Sequence, residues 1–224
     1  MSRAIAVLRP EPGNTATAAA IEALGLTAIR LPLFEVHAID WVAPDASRFD
    51  ALLLTSANAP RHAGPGLAGL RSLPVHAVGD ATAAAARDAG LEVVAVGDRD
   101  GAALVAAAAA SGVRRGLLLG GRDRALGSDP IIAEAIAVYA SDPMAVPAEA
   151  LDQLAGSVVL VHSPRAARRL ADLIDRVGID RRTVRLAAIS AAAVDAAGGD
   201  WERIAAAAVP DDATLIALAR SLTD

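Results

Sequence analysis

The stretch that decides the fold is LLLTSANAPR, residues Leu52–Arg61. A compact apolar run ends there at a small polar loop, and a helix-compatible stretch begins directly after it. In a parallel α/β sheet, such a strand-loop-helix unit places its loop at the carboxyl end of the strand, where hydroxyls and free helix amides can meet a ligand. Thr55, Ser56 and Asn58 are also common helix-capping residues, so an isolated loop of this kind is often no more than a cap.

This loop is not isolated, because a similar unit recurs in the second half of the chain. VVLVHSPR, residues Val158–Arg165, again runs an apolar strand into a polar loop and a helix, with Pro164 suited to the first helical turn. Each unit is followed by a second one, VHAVGDATAAAARDAG (Val75–Gly90) and VRLAAISAAAVDAAGG (Val184–Gly199). Two copies of a βαβα module predict two similar α/β lobes, each with a parallel sheet.

The composition narrows the class of protein and its partners. The chain has 224 residues, 54% of them hydrophobic, which is enough for one large domain or two small ones. It contains no cysteine and its four histidines lack a ligand spacing such as HExxH, so we expect no metal site. All its basic residues are arginine, which excludes a Schiff-base lysine and the P-loop lysine. A net charge of -5 with only 2% aromatic residues argues against a nucleic-acid partner.

The apolar segments are short. No run reaches the roughly 18 uninterrupted apolar residues that a membrane-spanning helix needs. The start MSRAIAVLRPEPG lacks the pattern of a secretory signal, because Arg9 and two prolines interrupt it. We therefore expect a cytoplasmic protein without membrane association. Separately, we expect the protein to be a monomer.

Two extended segments separate the repeated modules. Pro32–Trp41 alternates apolar and polar residues with period 2, which favours an exposed antiparallel strand, and Ala135–Val146 is a second such run. We expect the two to pair as a bridge between the lobes. The predicted domains are a first lobe of residues 1–33 and 147–224, bridge strands of 34–41 and 135–146, and an inserted second lobe of 42–134.

Local signals predict the ends of two further helices. Asn14 is expected to cap a helix over Thr15–Leu24 that Gly25 closes in the C′ position. A short helix is expected over Pro130–Glu134, between the strand expected at Gly116–Leu119 and the second extended segment.

The ordered set of TSANAPR, VGDATAAAARDAG, the pair Val138 and Tyr139, and HSPRAARRL resembles the uroporphyrinogen-III synthase family over essentially the whole chain. The resemblance implies two flavodoxin-like parallel-sheet lobes joined by a two-stranded bridge. It implies a lyase that cyclises the linear tetrapyrrole hydroxymethylbilane to uroporphyrinogen III. In that reaction the terminal hydroxyl leaves as water and the last pyrrole ring is inverted through a spiro intermediate, with no metal or organic cofactor.

The resemblance also implies site residues. Tyr139 is implied as the catalytic residue. The resemblance implies that Thr55, Ser56, Gly79, Thr82 and Ser163 in the strand-end loops bind the substrate. We add Asn58, Ser190, Arg9 and Arg165 from their places at or near the same strand ends, although surface arginines are more commonly solvated. The last loop departs from the family pattern, because Ser190 is followed by Ala191–Ala193 where many members have a glycine and a threonine. This change removes one side-chain hydroxyl.

Other interpretations remain open on the residues alone. Tyr139 is the only tyrosine, and a lone tyrosine in an alternating strand is commonly a packing residue. Two α/β lobes on a double connection also build non-catalytic binding or sensing modules. A nucleotide-binding enzyme is disfavoured, since no G-x-G-x-x-G follows a strand. A hydrolase is disfavoured as well, because His162 and Ser163 are neighbours on an extended segment and no G-x-S-x-G is present. We expect the other histidines to be surface or core residues: His37, His62 and His76.

Overall fold

The structure is a computed structural model that describes residues 2–97, 100–123, 126 and 128–224. Strands and helices alternate along most of the chain. The strands are β1 Ile5–Val7, β2 Ala28–Arg30, β3 Phe34–Ala38, β4 Ala51–Leu54, β5 Val75–Val78, β6 Val93–Gly97, β7 Gly116–Gly121, β8 Ile132–Pro143, β9 Val158–Val161, β10 Arg185–Ala188 and β11 Arg203–Ala206. The α-helices are α1 Gly13–Ala23, α2 Asn58–His62, α3 Asp80–Asp88, α4 Gly101–Ala110, α5 Ala148–Leu151, α6 Pro164–Val177, α7 Ala191–Ala197 and α8 Asp212–Ser221. Short 3₁₀ helices cover Ala46–Arg48, Gly64–Leu70, Asp152–Leu154 and Arg181–Thr183.

The chain divides into two compact units. Unit 1 comprises Met1–Glu35 and Asp142–Asp224, and unit 2 comprises Val36–Ser141. Both places where the chain passes from one unit to the other lie inside the segments 34–41 and 135–146. The division into lobes and a bridge with the limits expected from the sequence stays a prediction.

Unit 1 contains a five-stranded sheet in the order β11-β10-β9-β1-β2, with all its pairs parallel. This is the flavodoxin strand order. Alternate residues of each strand point to opposite faces, so β9 sends Val159 and Val161 to one face and Val158 and Leu160 to the other. Helices α6 and α7 cover the first face, and α1 and α8 cover the second.

Unit 2 is built on a six-stranded sheet in the order β3-β8-β7-β4-β5-β6, although Phe34–Glu35 of β3 and Asp142–Pro143 of β8 fall in unit 1. Strands β8, β7, β4, β5 and β6 run parallel. Leu52 and Leu54 face a core built with α2 and α3, whereas Leu53 faces a smaller core built with α4. The expected α/β class with two parallel-sheet units is confirmed, although the strand order of unit 2 differs from that of unit 1.

The pairing of β3 is antiparallel, as expected. The amide of Ile39 donates to the carbonyl of Val138, and the amide of Met144 donates to the carbonyl of Leu33, so the partner number falls as the β3 number rises. The expected helix over Pro130–Glu134 is wrong. Strand β8 begins at Ile132 instead, because these residues pair in register with β7 and complete the sheet.

The start of α1 also differs from expectation. Asn14 is not the N-cap of this helix but its second residue, and it is almost fully buried. Its side-chain amide donates to the carbonyls of Val7 at 2.8 Å and Arg9 at 3.0 Å, and so ties the helix to the end of β1. The helix ends as expected, since Gly25 has a φ of +75°. No helix within the described residues is both long and apolar enough to cross a bilayer.

Candidate functional site

The carboxyl edge of unit 2 holds most of the expected site residues. After β4 the chain forms β5 and β6 on one side of that strand, and then β7 on its other side. The strand order therefore reverses between β4 and β7. At such a reversal the loops after the two central strands diverge and leave a crevice, which is where α/β sheets bind ligands. Thr55 and Ser56 follow β4 directly, and Gly120 and Gly121 form the end of β7.

The loop after β4 is built around Ser56. Its hydroxyl accepts a hydrogen bond from the amide of Asn58 at 3.2 Å. The N-cap of α2 is Ala57, which has no side-chain cap, so neither Thr55 nor Asn58 caps this helix. Thr55 instead packs towards Gly101, the first residue of α4. A Cβ atom placed on Gly101 would lie 3.2 Å from the methyl group of Thr55.

The loop after β5 turns at Gly79. This residue has a φ of +75°, a region that favours glycine, and its amide donates to the carbonyl of Gly97 at 2.7 Å. The Gly79 carbonyl accepts from the amides of Thr82 and Ala83 in the first turn of α3. Thr82 is buried, so its side chain lies within the unit, whereas Gly79 is only partly buried.

Tyr139 lies at the same edge, on β8. It is paired in register with Gly121, and its carbonyl accepts from the amide of Arg122 at 2.9 Å. A Cβ atom at Gly121 would be 2.9 Å from the ring, so only a glycine leaves room for the tyrosine there. The imidazole of His62 on α2 lies with its centroid 6.3 Å from the Tyr139 ring. The phenol is thus half-buried against the core of unit 2, close to the strand end.

The carboxyl edge of unit 1 carries the remaining expected residues. Ser163 caps α6 by accepting from the amide of Ala166 at 3.1 Å, and Ser190 caps α7 by accepting from the amide of Ala193 at 3.4 Å. Both hydroxyls therefore act as helix caps, as the capping preference of serine predicts. The Arg165 guanidinium stacks on the buried ring of Phe34, 4.6 Å from its centroid.

Arg9 belongs to a polar cluster at the order reversal of unit 1, between β1 and β9. Its Nη1 donates to Asp212 Oδ1 at 3.2 Å and lies 3.4 Å from the Thr17 hydroxyl, which itself donates to Asp212 Oδ2 at 2.7 Å. His162 Nε2 contacts Asp212 Oδ1 at 2.8 Å. We call these four residues, Arg9, Thr17, His162 and Asp212, the Asp212 cluster.

The environment sets the charge of each member of this cluster. Burial alone raises the pKa of Asp212, but hydrogen bonds from His162 and Thr17 together with the charge of Arg9 outweigh it and lower the pKa. Burial lowers the pKa of His162, and the hydrogen bond to Asp212 does not restore it. The carboxylate is therefore ionised and the imidazole neutral at pH 7. An ionised carboxylate only accepts, so Nε2 carries the proton and Nδ1 is a buried acceptor without a partner in the described residues.

The structure thus brings the expected residues together in two groups, one at the carboxyl edge of each sheet. The sequence reasoning missed Thr17 and Asp212, and it considered His162 only as a neighbour of Ser163. Asp212 stands second in an Asp-Asp pair at the start of α8, and nothing in the local sequence distinguishes it from Asp211. Within the described residues, no group of three or more His, Asp or Glu side chains is arranged to hold a metal ion.

The fold defines a class, that of doubly wound α/β proteins with two parallel-sheet units and polar loops at the carboxyl edges. Comparison with known families identifies the particular one, since the family model described as uroporphyrinogen-III synthase HemD matches residues 15–217. The chain therefore belongs to the uroporphyrinogen-III synthase family. No curated protein sequence matches the chain.

Solved structures with a similar fold include the following two. The uroporphyrinogen-III synthetase from Helicobacter pylori is 17% identical with a TM-score of 0.65, and the alignment covers 98% of this chain and 99% of the other. A mutant uroporphyrinogen-III synthase from Thermus thermophilus is 16% identical with a TM-score of 0.53, covering 98% of each chain. At these identities the comparison shows the fold, and the family model carries the assignment.

Proposed function

We propose that this protein is a lyase that cyclises hydroxymethylbilane to uroporphyrinogen III, with loss of one water and inversion of the terminal pyrrole ring. The observation that carries the proposal is the family match over residues 15–217, which includes every residue expected at the site except Arg9. The family supports a role in tetrapyrrole biosynthesis. No observation favours a non-catalytic binding module.

Ring closure without an enzyme gives the uninverted type I isomer, so the protein must hold a flexible substrate in the conformation that leads to the spiro intermediate. The substrate carries eight carboxylates. Free amides at helix N-termini and partial positive charge there suit carboxylates. Helix α3 begins at the Gly79 turn, and α6 and α7 begin at the loops of Ser163 and Ser190, at the carboxyl edges of the two sheets. We infer that these edges bind the carboxylates largely through backbone amides.

Within this proposal, Thr55, Ser56 and Asn58 bind substrate in the loop after β4. Gly79 contributes its partly exposed turn, and buried Thr82 supports that turn from inside the unit. Because Ser163 and Ser190 already cap their helices, they contribute mainly by keeping the remaining amides of α6 and α7 in place. The alanines at 191–193 fit this division, since amide binding needs no side-chain hydroxyl there.

Tyr139 is proposed as the donor that assists departure of the terminal hydroxyl. A phenolic hydroxyl is a hydrogen-bond donor in its ordinary form, so it needs no special environment for this role. The electron-rich pyrrole ring of the substrate that carries this hydroxyl also favours its departure. The contribution of the phenol is therefore expected to be partial.

We also propose that the protein acts as a cytoplasmic monomer without a nucleic-acid partner. The net charge of -5 and the low aromatic content support the absence of nucleic acid.

The decisive experiment supplies hydroxymethylbilane, oxidises the products to porphyrins and measures the ratio of type III to type I isomer by chromatography. The protein should shift the ratio towards type III, and the shift should survive addition of a chelator. An unchanged ratio with folded protein would overturn the proposal. A shift that the chelator abolishes would instead contradict metal-free catalysis.

A further inference from the structure

The guanidinium of Arg9 is held on one side only. Its Nη1 contacts Asp212 and Thr17, whereas Nε and Nη2 make no hydrogen bond to any residue in the described ranges. The group lies against Gly13, where a Cβ atom would come within 2.4 Å of Nε. Its side chain is 36% exposed. Arg9 therefore keeps two donors in the geometry that matches a carboxylate with two parallel hydrogen bonds.

Asp212 is the residue that holds this arrangement. Its Oδ1 accepts from both Arg9 and His162, and its Oδ2 accepts from Thr17. These partners come from the loop after β1, the end of β9 and the buried face of α1, so one carboxylate fixes three elements at the edge of unit 1.

The two neighbours of Asp212 are themselves held in place by burial. Thr17 is fully buried, and the His162 side chain is only 12% exposed. Neither of these two side chains is free to move out into solvent together with Arg9. The carboxylate between them is consequently a fixed point, and it restrains the partly exposed side chain of Arg9.

We propose that Asp212 is a positioning residue for substrate binding, which holds Arg9 so that Nε and Nη2 meet one carboxylate of the substrate. The inference rests on the proposed function for the identity of that substrate. Asp212 acts through placement rather than charge, because its own negative charge opposes the approach of an anion. This distinction gives the proposal a specific signature in mutants.

Removing the side chain should weaken substrate binding, whereas removing only its charge should not. Asp212→Ala frees Arg9 and is expected to raise the KM roughly 10-fold, the loss typical of one charge-assisted hydrogen bond, with kcat retained. Asp212→Asn keeps an oxygen that can accept from Arg9 and His162 but removes the charge, so its KM should equal or fall below that of the wild type. Asp211→Asn is the matched control, because Asp211 caps α8 without contacting Arg9 and asparagine caps as well as aspartate.

A double-mutant cycle separates positioning from a general structural effect. Arg9→Gln alone should raise the KM roughly 10-fold, and adding Asp212→Ala to it should raise the KM no further, because the two residues act as one unit. Full additivity of the two losses, or a wild-type KM for folded Asp212→Ala, would overturn the proposal. So would equal losses in the Ala and Asn variants.

Should Asp212→Ala fail to fold, Gly13→Ala provides a second test. The added methyl group displaces the flexible Arg9 guanidinium and leaves Asp212 intact, so its KM should match that of Arg9→Gln. A wild-type KM for folded Gly13→Ala would contradict the role of Arg9 placement.

The proposed function and this inference fail in different ways. If the wild type forms no type III isomer, the proposed function is wrong, and the same variants are compared for binding of uroporphyrinogen III by calorimetry. Positioning by Asp212 is supported in that assay too if Asp212→Asn binds uroporphyrinogen III at least as tightly as the wild type and Asp212→Ala binds it more weakly. Any other order, or no binding, overturns it.

Discussion

Gly121 and Tyr139 lie opposite each other on β7 and β8, and a Cβ atom on Gly121 would be only 2.9 Å from two carbon atoms of the tyrosine ring. The register between the strands shifts by one residue just before this pair, so Tyr139 follows Val138 in a β-bulge. Bulges commonly re-aim a side chain near a functional edge. The glycine and the bulge together let the tyrosine ring lie against the strand end.

Replacing the hydroxyl of Tyr139 tests its proposed role as a donor. Tyr139→Phe should fold normally, bind product nearly as well and lose rate by no more than the roughly 10² to 10⁴-fold that a general acid supplies. Steady-state kinetics with thermal unfolding measures both properties. If the ring only packs, Tyr139→Phe will turn over like the wild type, and Tyr139→Ala will lower the melting temperature.

Moving the Tyr139 ring without changing its chemistry should also reduce the rate. Gly121→Ala forces the Tyr139 ring to move, so we expect a loss of stability of about 1–3 kcal/mol, the usual cost of overpacking, together with a reduced rate. Gly69→Ala is the control, because a Cβ atom there meets no atom within 4 Å. Chemical unfolding and the isomer assay report the two effects. A Gly121→Ala protein with unchanged rate would argue against a required tyrosine position.

Two substitutions at Ser56 separate amide binding from hydroxyl binding. Ser56→Ala removes one hydroxyl that accepts from the Asn58 amide and should cost about 0.5–1.5 kcal/mol in product affinity. Ser56→Pro removes the amide itself and restricts Thr55, so its cost should be clearly larger if backbone amides dominate. Calorimetric titration with product gives both values. Equal costs in two folded variants would refute amide-dominated binding.

The buried imidazole of His162 should make stability depend on pH. Its folded-state pKa is lowered, mainly by burial, so below about pH 6.5 the unfolded chain binds a proton that the folded protein does not. The free energy of unfolding should therefore fall as the pH falls from about 8 to about 5.5, by at most about 1.4 kcal/mol per pH unit for this residue. Burial also lowers the pKa values of His62 and His76, which contribute with the same sign.

A comparison of a His162 variant with the wild type isolates the contribution of His162 to the pH dependence of stability. His162→Gln retains a donor that can reach Asp212 and removes the titrating ring, so its stability should depend less steeply on pH than that of the wild type. Urea unfolding at several pH values across the same range measures the slope. Identical slopes in the two proteins would show that His162 does not titrate differently on folding.

Much of the architecture could be predicted from the sequence because it depends on local patterns. Short apolar runs followed by Ser, Thr or Gly loops and alanine-rich helices predict α/β alternation, and the unit predicted at Val75–Gly90 does begin with a strand, Val75–Val78. The order of these motifs also carried the family resemblance, which the match over residues 15–217 confirms. The individual roles of the site residues stay predictions, since a family match does not test them.

The local reasoning failed where a segment is decided by its neighbours in space. The local sequence of Pro130–Glu134 favoured a helix, but Ile132 and the following residues pair with the edge of β7 and form β8. Asn14 looked like a cap, but burial beside the end of β1 turns its amide towards two backbone carbonyls. In both cases hydrogen bonds to another part of the chain outweigh a weak local preference.

The sequence by itself determined the repeated strand-loop-helix units and placed their polar loops at strand ends, because both follow from period and turn chemistry. Only the tertiary structure decided which of these loops meet. His162 and Asp212 are separated by 50 residues, and Arg9 lies 203 residues from Asp212, yet the strand order of unit 1 brings all three together. Strand order depends on pairing across the whole sheet, so no local pattern could show that one carboxylate restrains an arginine from the other end of the chain.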